Sequence, residues 1–535
     1  MMAGQPRCLS CLGLRARWNA YANGLPIAVL VGYLLIAWTE SFPTTAYSSL
    51  MQDELGMSLP SIYTFYAVTF LPFLGKPLYG WVSDNFPVAG YYRTPYICVA
   101  AMGSAVCHLV TALLVRSVRG FFVATFCRAV CNAFMQLMVG TFLVDVARRD
   151  VKNSAALQGL ANAAGWLGTA AAKVLALAIY AHGERGRLHH PIGNARLAIG
   201  LTAVAPAVLA GMALTLPEER GLRVASPTTR NSEQGALAAG LAIVQANLLL
   251  VGCRTLMDGG LWQRLLAFSV AVSTCLIAFL LFSVHRRAQA AAGLRGREDT
   301  LPSNQLCHWL RLCTFCFLCN ALPNSSIAVD QLQFRFFTPS SYQALGLISS
   351  VASLLASLVF GARLNRWSTR RMFAASTVLA AFLGLAPWPF ASLALGANKG
   401  GHELVSEAGG LAIASAIGLA AQLFSTIAVD TLITSESGSV AGHSSTAYAF
   451  LLSVFGLGGT VGGLVSAPIL QSMSPDGQNW RSVPDWVLIT AAIRLLLLAL
   501  LPLIPDPCHR GDSSLLMRSS SLQDPASAVD PLSSH

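Results

Sequence analysis

Fourteen apolar stretches, each near the length of a membrane-crossing helix, follow one another along this 535-residue chain. They begin near Leu25, Ser61, Pro95, Gly120, Ser154, Ala195, Gly235, Gln263, Gln305, Tyr342, Met372, Gly409, Ser445 and Pro484. A helix needs about 20 apolar residues to cross the hydrocarbon layer. No water reaches backbone groups there, so each crossing segment must close its own hydrogen bonds, which a helix does. The expected fold class is therefore all-α, a polytopic integral membrane protein. Charge agrees with this. Lys, Arg, Asp and Glu make up 11% of the residues, against roughly 25% in soluble domains. So few charges cannot clothe a water-facing surface, which excludes an ordinary soluble enzyme and a disordered chain.

The seventh and eighth stretches form a pair between two sets of six, set off by basic segments. Arg220, Arg223 and Arg230 precede the pair, and Arg286, Arg287, Arg295 and Arg297 follow it. The expected organisation is a cytoplasmic N-terminal segment (1–24) and a first six-helix half (25–219). Linkers with the extra apolar pair come next (220–304), then a second half (305–505) and a disordered Ser/Pro-rich tail (506–535). With the N-terminus inside, 20 Lys and Arg residues fall in inside segments and 9 in outside ones. Positive residues favour the cytoplasmic side, so both termini are expected there. An even number of spans is required whether or not the middle pair crosses. The net charge of +11 is spread over short loops rather than gathered on one face, so no nucleic-acid partner is expected.

Two sets of six imply a duplicated transporter. The second stretch ends Gly80-Trp81-Val82-Ser83-Asp84, with Arg93 following. Its counterpart reads Gly361-Ala362-Arg363-Leu364-Asn365, with Arg370 and Arg371 following. Gln136-Leu137 before Val144-Asp145 is echoed by Gln422-Leu423 before Val429-Asp430. The first pair of loops resembles the gating signature of the major facilitator superfamily. Asp84 near a helix end can pair with Arg93 or with a helix N-terminus, and Lys76, inside an apolar run, needs a partner. A plain surface turn is the alternative.

The run Leu71-Pro72-Phe73-Leu74-Gly75-Lys76-Pro77-Leu78-Tyr79-Gly80-Trp81-Val82-Ser83-Asp84, then Pro87, Gly90-Tyr91 and Arg93-Thr94-Pro95-Tyr96, is similar to the folate–biopterin transporter family. Asp53-Glu54-Leu55-Gly56, Ala156-Leu157-Gln158-Gly159-Leu160, Pro323-Asn324-Ser325 and residues 345–371 resemble further parts of that family in order. Thr446, Ala449 and Ser453 keep the spacing of its eleventh span. The resemblance covers 25–219 and 305–504. It implies a major-facilitator-like 6+6 bundle that moves folates or pterins, coupled to protons or by exchange. The sequence departs from the pattern where Gln136 and Gly140 stand in turns that usually hold acids, and where Ser444 replaces an expected Glu.

Folates are anions with a flat hydrogen-bonding ring, so a site needs cations, amides and aromatic faces. Polar residues inside a membrane are expensive and are functional candidates by default. Arg128, Asn132 and Gln136 recur every four residues on span 4. Gln158, Asn162, Thr169 and Lys173 form a stripe on span 5, and Asn320, Asn324 and Gln331 another on span 7. Pro323 is expected to break span 7. Glu40 lies deep in span 1 and Arg494 near the middle of span 12. The expected substrate residues are Glu40, Arg128, Asn132, Gln136, Gln158, Asn162, Lys173, Asn320, Asn324 and Arg494. The expected gating residues are Lys76, Asp84, Arg93, Asp145 and Asp430. The competing role for each amide is to join helices by hydrogen bonds.

An unrelated small-molecule substrate on the same fold is the main alternative. A membrane enzyme would need a paired nucleophile and base or a metal cluster, and His108 and His308 stand isolated. A channel would need an oligomeric ring, whereas an internal repeat points to a one-chain path and a monomer. No phosphate-binding Gly-x-x-x-x-Gly-Lys loop is present. No cofactor or metal is expected, and Cys313, Cys316 and Cys319 are expected to pack as small hydrophobes. The expected partners are the bilayer, a folate- or pterin-like solute and protons. The plasma membrane is the expected location, with an organelle membrane as the alternative.

Overall fold

The computed structural model describes residues 21–22, 25–57, 62, 65–66, 69, 71–149, 154–185, 191–216, 301–363, 367–396, 409–418, 423–438, 444–473 and 482–504. The apolar pair expected at 235–284 and the N- and C-terminal segments lie outside these residues, as do the side chains of Asp84 and Asp145. Apart from a two-residue antiparallel pair, Tyr21–Ala22 with Leu25–Pro26, the described elements are helical. Nine of the described helices are long and apolar enough to cross a membrane.

Span 1, Ile27–Glu54, is broken at Phe42-Pro43 because proline cannot continue the backbone ladder, and it ends in a π-helical turn, Leu50–Glu54. Span 2 ends with Lys76–Asn85. Spans 3, 4 and 5 are Thr94–Leu113, Val118–Arg149 and Ser154–Arg185. Span 6 runs as Pro191–Thr202 and Val204–Ala213. In the second half, span 7 is interrupted as expected: Leu301–Ala321 stops, Pro323 intervenes, and Ser326–Phe336 begins again. Span 8 is Pro339–Arg363, and span 9 is Thr369–Leu383 with Pro387–Gly396. Span 10 ends with Leu423–Gly438, and span 11 is Ser444–Met473. Span 12 passes from the α-helix Val483–Arg494 to the 3-10 helix Leu495–Leu503.

The internal repeat is visible in the packing. A Cβ on Gly168 of span 5 would strike the Leu34 carbonyl of span 1, and a Cβ on Gly458 of span 11 would strike the Phe317 carbonyl of span 7. Equivalent helices of the two halves therefore approach at backbone distance through the same residue type. Contacts between the halves follow the same twofold logic. Span 5 packs along span 8, and span 2 along span 11. Gly159 meets Gly361 where spans 5 and 8 cross, with 2.8 Å left between a Cβ built there and Gly361 Cα. Ser453 Oγ of span 11 donates to the Phe73 carbonyl at 3.2 Å.

The outer faces carry apolar side chains that no protein group covers, among them Val99, Leu113, Leu214, Phe382 and Leu496, each at least 60% exposed. In water such faces would be unstable; against lipid they are the expected surface. The protein is a multi-pass integral membrane protein. Cys316 is buried in the largest apolar cluster with Leu312, Phe315 and Phe373.

The loop after span 2 is a compact turn rather than an open linker. Val88 and Tyr91 exchange backbone hydrogen bonds, which requires left-handed backbone at Ala89 and Gly90 (φ 55° and 82°). Ser83 donates to the Tyr92 carbonyl. The Arg93 guanidinium lies 5.1 Å from the centre of the Phe142 ring.

Candidate functional site

A cavity of about 370 Å³ opens where spans 1, 2, 4, 5, 10 and 11 converge, so both halves supply its wall. Small-ligand sites occupy roughly 300–1,000 Å³ and hold a few convergent polar groups among apolar ones. Glu40, Lys76, Gln136, Gln158, Asn162 and Asp430 supply most of its polarity, and Tyr33, Trp166 and Tyr448 supply flat apolar faces.

One chain of hydrogen bonds organises the N-terminal side. Gln136 Nε2 donates to Glu40 Oε1 at 2.7 Å, and Lys76 Nζ donates to Gln136 Oε1 at 3.3 Å. One amide thus joins the acid of span 1 to the cation of span 2. Lys76 Nζ also stands 5.0 Å from the centre of the Phe73 ring. Glu40 interacts electrostatically with Lys76 and Arg128, and Lys76 with Asp430 across the cavity. On the span 5 side, Gln158 donates to Asn162 at 3.4 Å and accepts from Thr434 of span 10 at 3.0 Å. Two acids and one lysine therefore share one cavity with amides. Such a set offers acceptors to a donor-rich ring and a cation to an anion.

Beyond the cavity, at the Glu54 end of span 1, a polar seam joins the halves. It starts within the first half, where Ser41 and Thr169 of the cavity wall bond at 3.0 Å and Lys173 Nζ donates to Thr44 at 2.6 Å. Gln52 bonds Gln331 at 2.6 Å, Gln343 bonds Thr45, and Tyr342 donates to Asp330 at 2.6 Å. Lys173 and Asp330 interact electrostatically across the seam.

Several residues singled out from sequence fall elsewhere. Asn132 accepts from Ser104 of span 3 at 3.0 Å, which joins two helices within the first half. Asn320 donates to the Phe455 carbonyl at 2.9 Å, joining spans 7 and 11. Arg128 does not line the cavity; its guanidinium lies 5.1 Å from the Tyr47 ring centre. Asn324 and Arg494 wall a separate small cavity in the second half. Lys76 and Asp430, expected as gating residues, line the central cavity. Asp430 sits within the Leu423–Gly438 helix rather than at a span end. Tyr33, Trp166, Tyr448 and Asp330 were not singled out. Trp166 had a usable signal, since it continues the four-residue stripe of Gln158 and Asn162; Tyr33 and Tyr448 read as ordinary core aromatics.

The BT1 family matches residues 38–388. Two Arabidopsis thaliana proteins align over short segments. Probable folate-biopterin transporter 4 is 38% identical over 90 residues, which is 16% of this chain and 18% of that protein. Probable folate-biopterin transporter 7 is 31% identical over 93 residues, 17% of this chain and 21% of that protein. The chain thus spans about a fifth of the length of these relatives in alignment. Solved structures share the fold at low identity. An auto-inhibited POT family peptide transporter superposes with TM-score 0.57 at 14% identity, covering 89% of this chain and 96% of its own. The major facilitator superfamily proton:xylose symporter XylE gives 0.52 at 11% identity over 90% and 95%. The human organic anion transporter MFSD10 gives 0.51 at 15% over 89% and 98%.

Proposed function

From the premise that this chain belongs to the BT1 family, and so is a membrane transporter on a major facilitator fold rather than an enzyme, we propose that it carries a folate, a pterin or a related small organic anion by alternating access. The cavity between the halves supports this reading most directly. Its wall mixes carboxylates, a lysine, three amides and three aromatic rings, and substrate sites of duplicated transporters lie at the interface of the repeats.

In this reading a flat ring stacks among Tyr33, Trp166 and Tyr448. Glu40 and Asp430 accept its N–H groups, while Lys76 and Arg128 balance the negative charge of the solute. Opposite charges drawn from both halves give the bound solute a grip on each, so its arrival and departure bias how the halves sit. Acids facing cations also give protons a place to exchange, which supports a proton-coupled cycle. The polar seam at Lys173 and Asp330 closes one end of the path in this arrangement.

Uptake of labelled folic acid and biopterin, with a panel of other small anions, into cells expressing the protein tests the proposal. Saturable uptake of a pterin or folate, lost in Lys76→Ala and Glu40→Gln at equal surface expression, is expected. Transport confined to an unrelated solute would overturn the substrate assignment.

A further inference from the structure

Spans 9 and 12 meet on the outer surface of the second half, away from the central cavity. Arg370 sets their register. Its Nε and Nη2 donate to the Ile504 carbonyl at 3.1 and 2.8 Å, so the start of span 9 stands beside the end of span 12. Deeper along the two spans from that clasp runs an apolar groove. Ala374, Ala375, Val378 and Phe382 line one side, and Leu498 and Leu501 the other. Its shape follows from local geometry. The two alanines put short side chains where their neighbours have long ones. Span 12 is a 3-10 helix there, and three residues per turn bring residues three apart into line, so Leu498 and Leu501 form one straight ridge. Val378 and Phe382 are exposed, which turns the groove toward lipid.

The depth of the groove can be read from two tryptophans. Trp367 and Trp388 are both exposed, and their spacing corresponds to about 30 Å of helix, the thickness of the hydrocarbon core. Exposed tryptophans favour the two membrane–water interfaces, so the groove opens into the leaflet next to Trp367. Arg371 is exposed at that edge. Positions 371, 375, 378 and 382 fall on one helix face, which puts Arg371 at the mouth of the groove. A helical side chain leans toward the N-terminal end of its helix, here outward, so the guanidinium reaches headgroups rather than hydrocarbon. The edge is basic in sequence as well. Arg363, Arg366, Arg370 and Arg371 lie within 363–371, which holds no acid, and 505–510 adds Asp506 and Arg510. Basic edges of this kind face the cytoplasmic leaflet, where anionic lipids gather.

We propose that this groove binds one anionic phospholipid, with an acyl chain laid between spans 9 and 12 and the headgroup phosphate on Arg371. A guanidinium matches a phosphate through paired hydrogen bonds. A zwitterionic lipid brings its own ammonium to the same edge and loses the net attraction. Arg370, held on the Ile504 carbonyl, keeps the two spans in register beneath the lipid. A second copy of this chain is a poorer occupant, because a twofold pairing across the groove sets two basic edges side by side. The site stands apart from the central cavity and does not depend on which solute is carried.

The test is native mass spectrometry of the purified full-length protein, released from detergent micelles holding equal amounts of dioleoylphosphatidylglycerol and dioleoylphosphatidylcholine. One interfacial guanidinium should favour retention of phosphatidylglycerol about fivefold. Arg371→Gln should bring the two lipids to within about twofold of each other. Arg116→Gln removes an exposed arginine between spans 3 and 4 and should leave the preference unchanged. Ala375→Leu fills the groove without altering charge and should lower the retention of phosphatidylglycerol. Equal retention of both lipids by wild type would overturn the proposal, and wild type alone decides it should a variant fail to fold. An undiminished preference in Arg371→Gln, or an equal loss in Arg116→Gln, would overturn the assignment to this groove. Displacement of the lipid by excess inorganic phosphate at constant ionic strength would show that a free phosphate suffices, and a lipid-free dimer would give the groove to a second copy; either result overturns the lipid.

Discussion

Glu40→Gln isolates the charge at the centre of the cavity while keeping its size. In the wild type, Glu40 Oε1 accepts from Gln136 at 2.7 Å, and Gln136 accepts from Lys76 at 3.3 Å. A hydrogen bond to a charged group contributes about 1.5–3 kcal/mol net. The charge count gives a similar figure. Glu40 and Asp430 balance Lys76 and Arg128, and the substitution leaves two cations facing one acid. A carboxylate and an ammonium bridged by one amide stand about 6 Å apart, worth about 3 kcal/mol at an effective dielectric near 20. Uptake, measured as kcat/KM for labelled biopterin, should therefore fall by about 10–150-fold. Glu40→Asp keeps the charge but shortens the reach by one methylene, and should fall less. The assay is initial-rate uptake in expressing cells, normalised to surface protein. Uptake by Glu40→Gln within about twofold of wild type, at equal surface expression, would refute the argument that a charged carboxylate organises this site.

Four further outcomes are expected. Arg128→Lys should raise the KM for an anionic folate more than for a neutral pterin, because an ammonium cannot copy a two-pronged guanidinium contact; equal effects on both would make Arg128 a helix-joining residue. Gly159→Leu should force spans 5 and 8 apart where 2.8 Å is available, costing about 1–3 kcal/mol; an unchanged melting midpoint with full uptake would contradict the close crossing. Cysteines placed at Gln52 and Gln331, whose side chains bond at 2.6 Å, should crosslink and arrest uptake, and reduction should restore it; uptake that continues after crosslinking would show that the seam does not open. Asn132→Ala should lose about 0.6 kcal/mol of stability, typical of an interhelical bond in a membrane, with unchanged substrate preference; a switch in preference would place Asn132 in the substrate path.

Much of the candidate site could be read before the fold was known, and the reason is energetic. A polar residue inside an apolar run must be compensated, so Glu40, Lys76, Gln136, Gln158 and Asn162 stand out by type and position, and all five reach the central cavity. The same rule cannot distinguish a residue that faces a cavity from one that faces a helix. Asn132 and Asn320 satisfy it by joining neighbouring spans. The aromatic wall was harder to read, because Tyr33 and Tyr448 cost nothing inside a membrane and so leave no mark.

The amino-acid sequence by itself determined the helical class, the break at Pro323 and the kinship carried by residues 71–96. Each depends on a local quantity: the length of an apolar run, the missing N–H of proline, or a short motif. Only the tertiary structure decided which polar residues meet. Asn132 and Gln136 lie four apart on span 4, which leaves a rotation of about 40° and a rise of about 6 Å between them. In a tight bundle that is enough to change neighbours, so Asn132 bonds Ser104 of span 3 while Gln136 joins Glu40 to Lys76. Asp430 and Asp330 were placed in the same way. Their spans come from the second half, and only the packing of the halves brings them opposite Lys76 and Lys173. Such pairings depend on the rotation and depth of helices that are hundreds of residues apart in the chain, and no periodicity within one span records them.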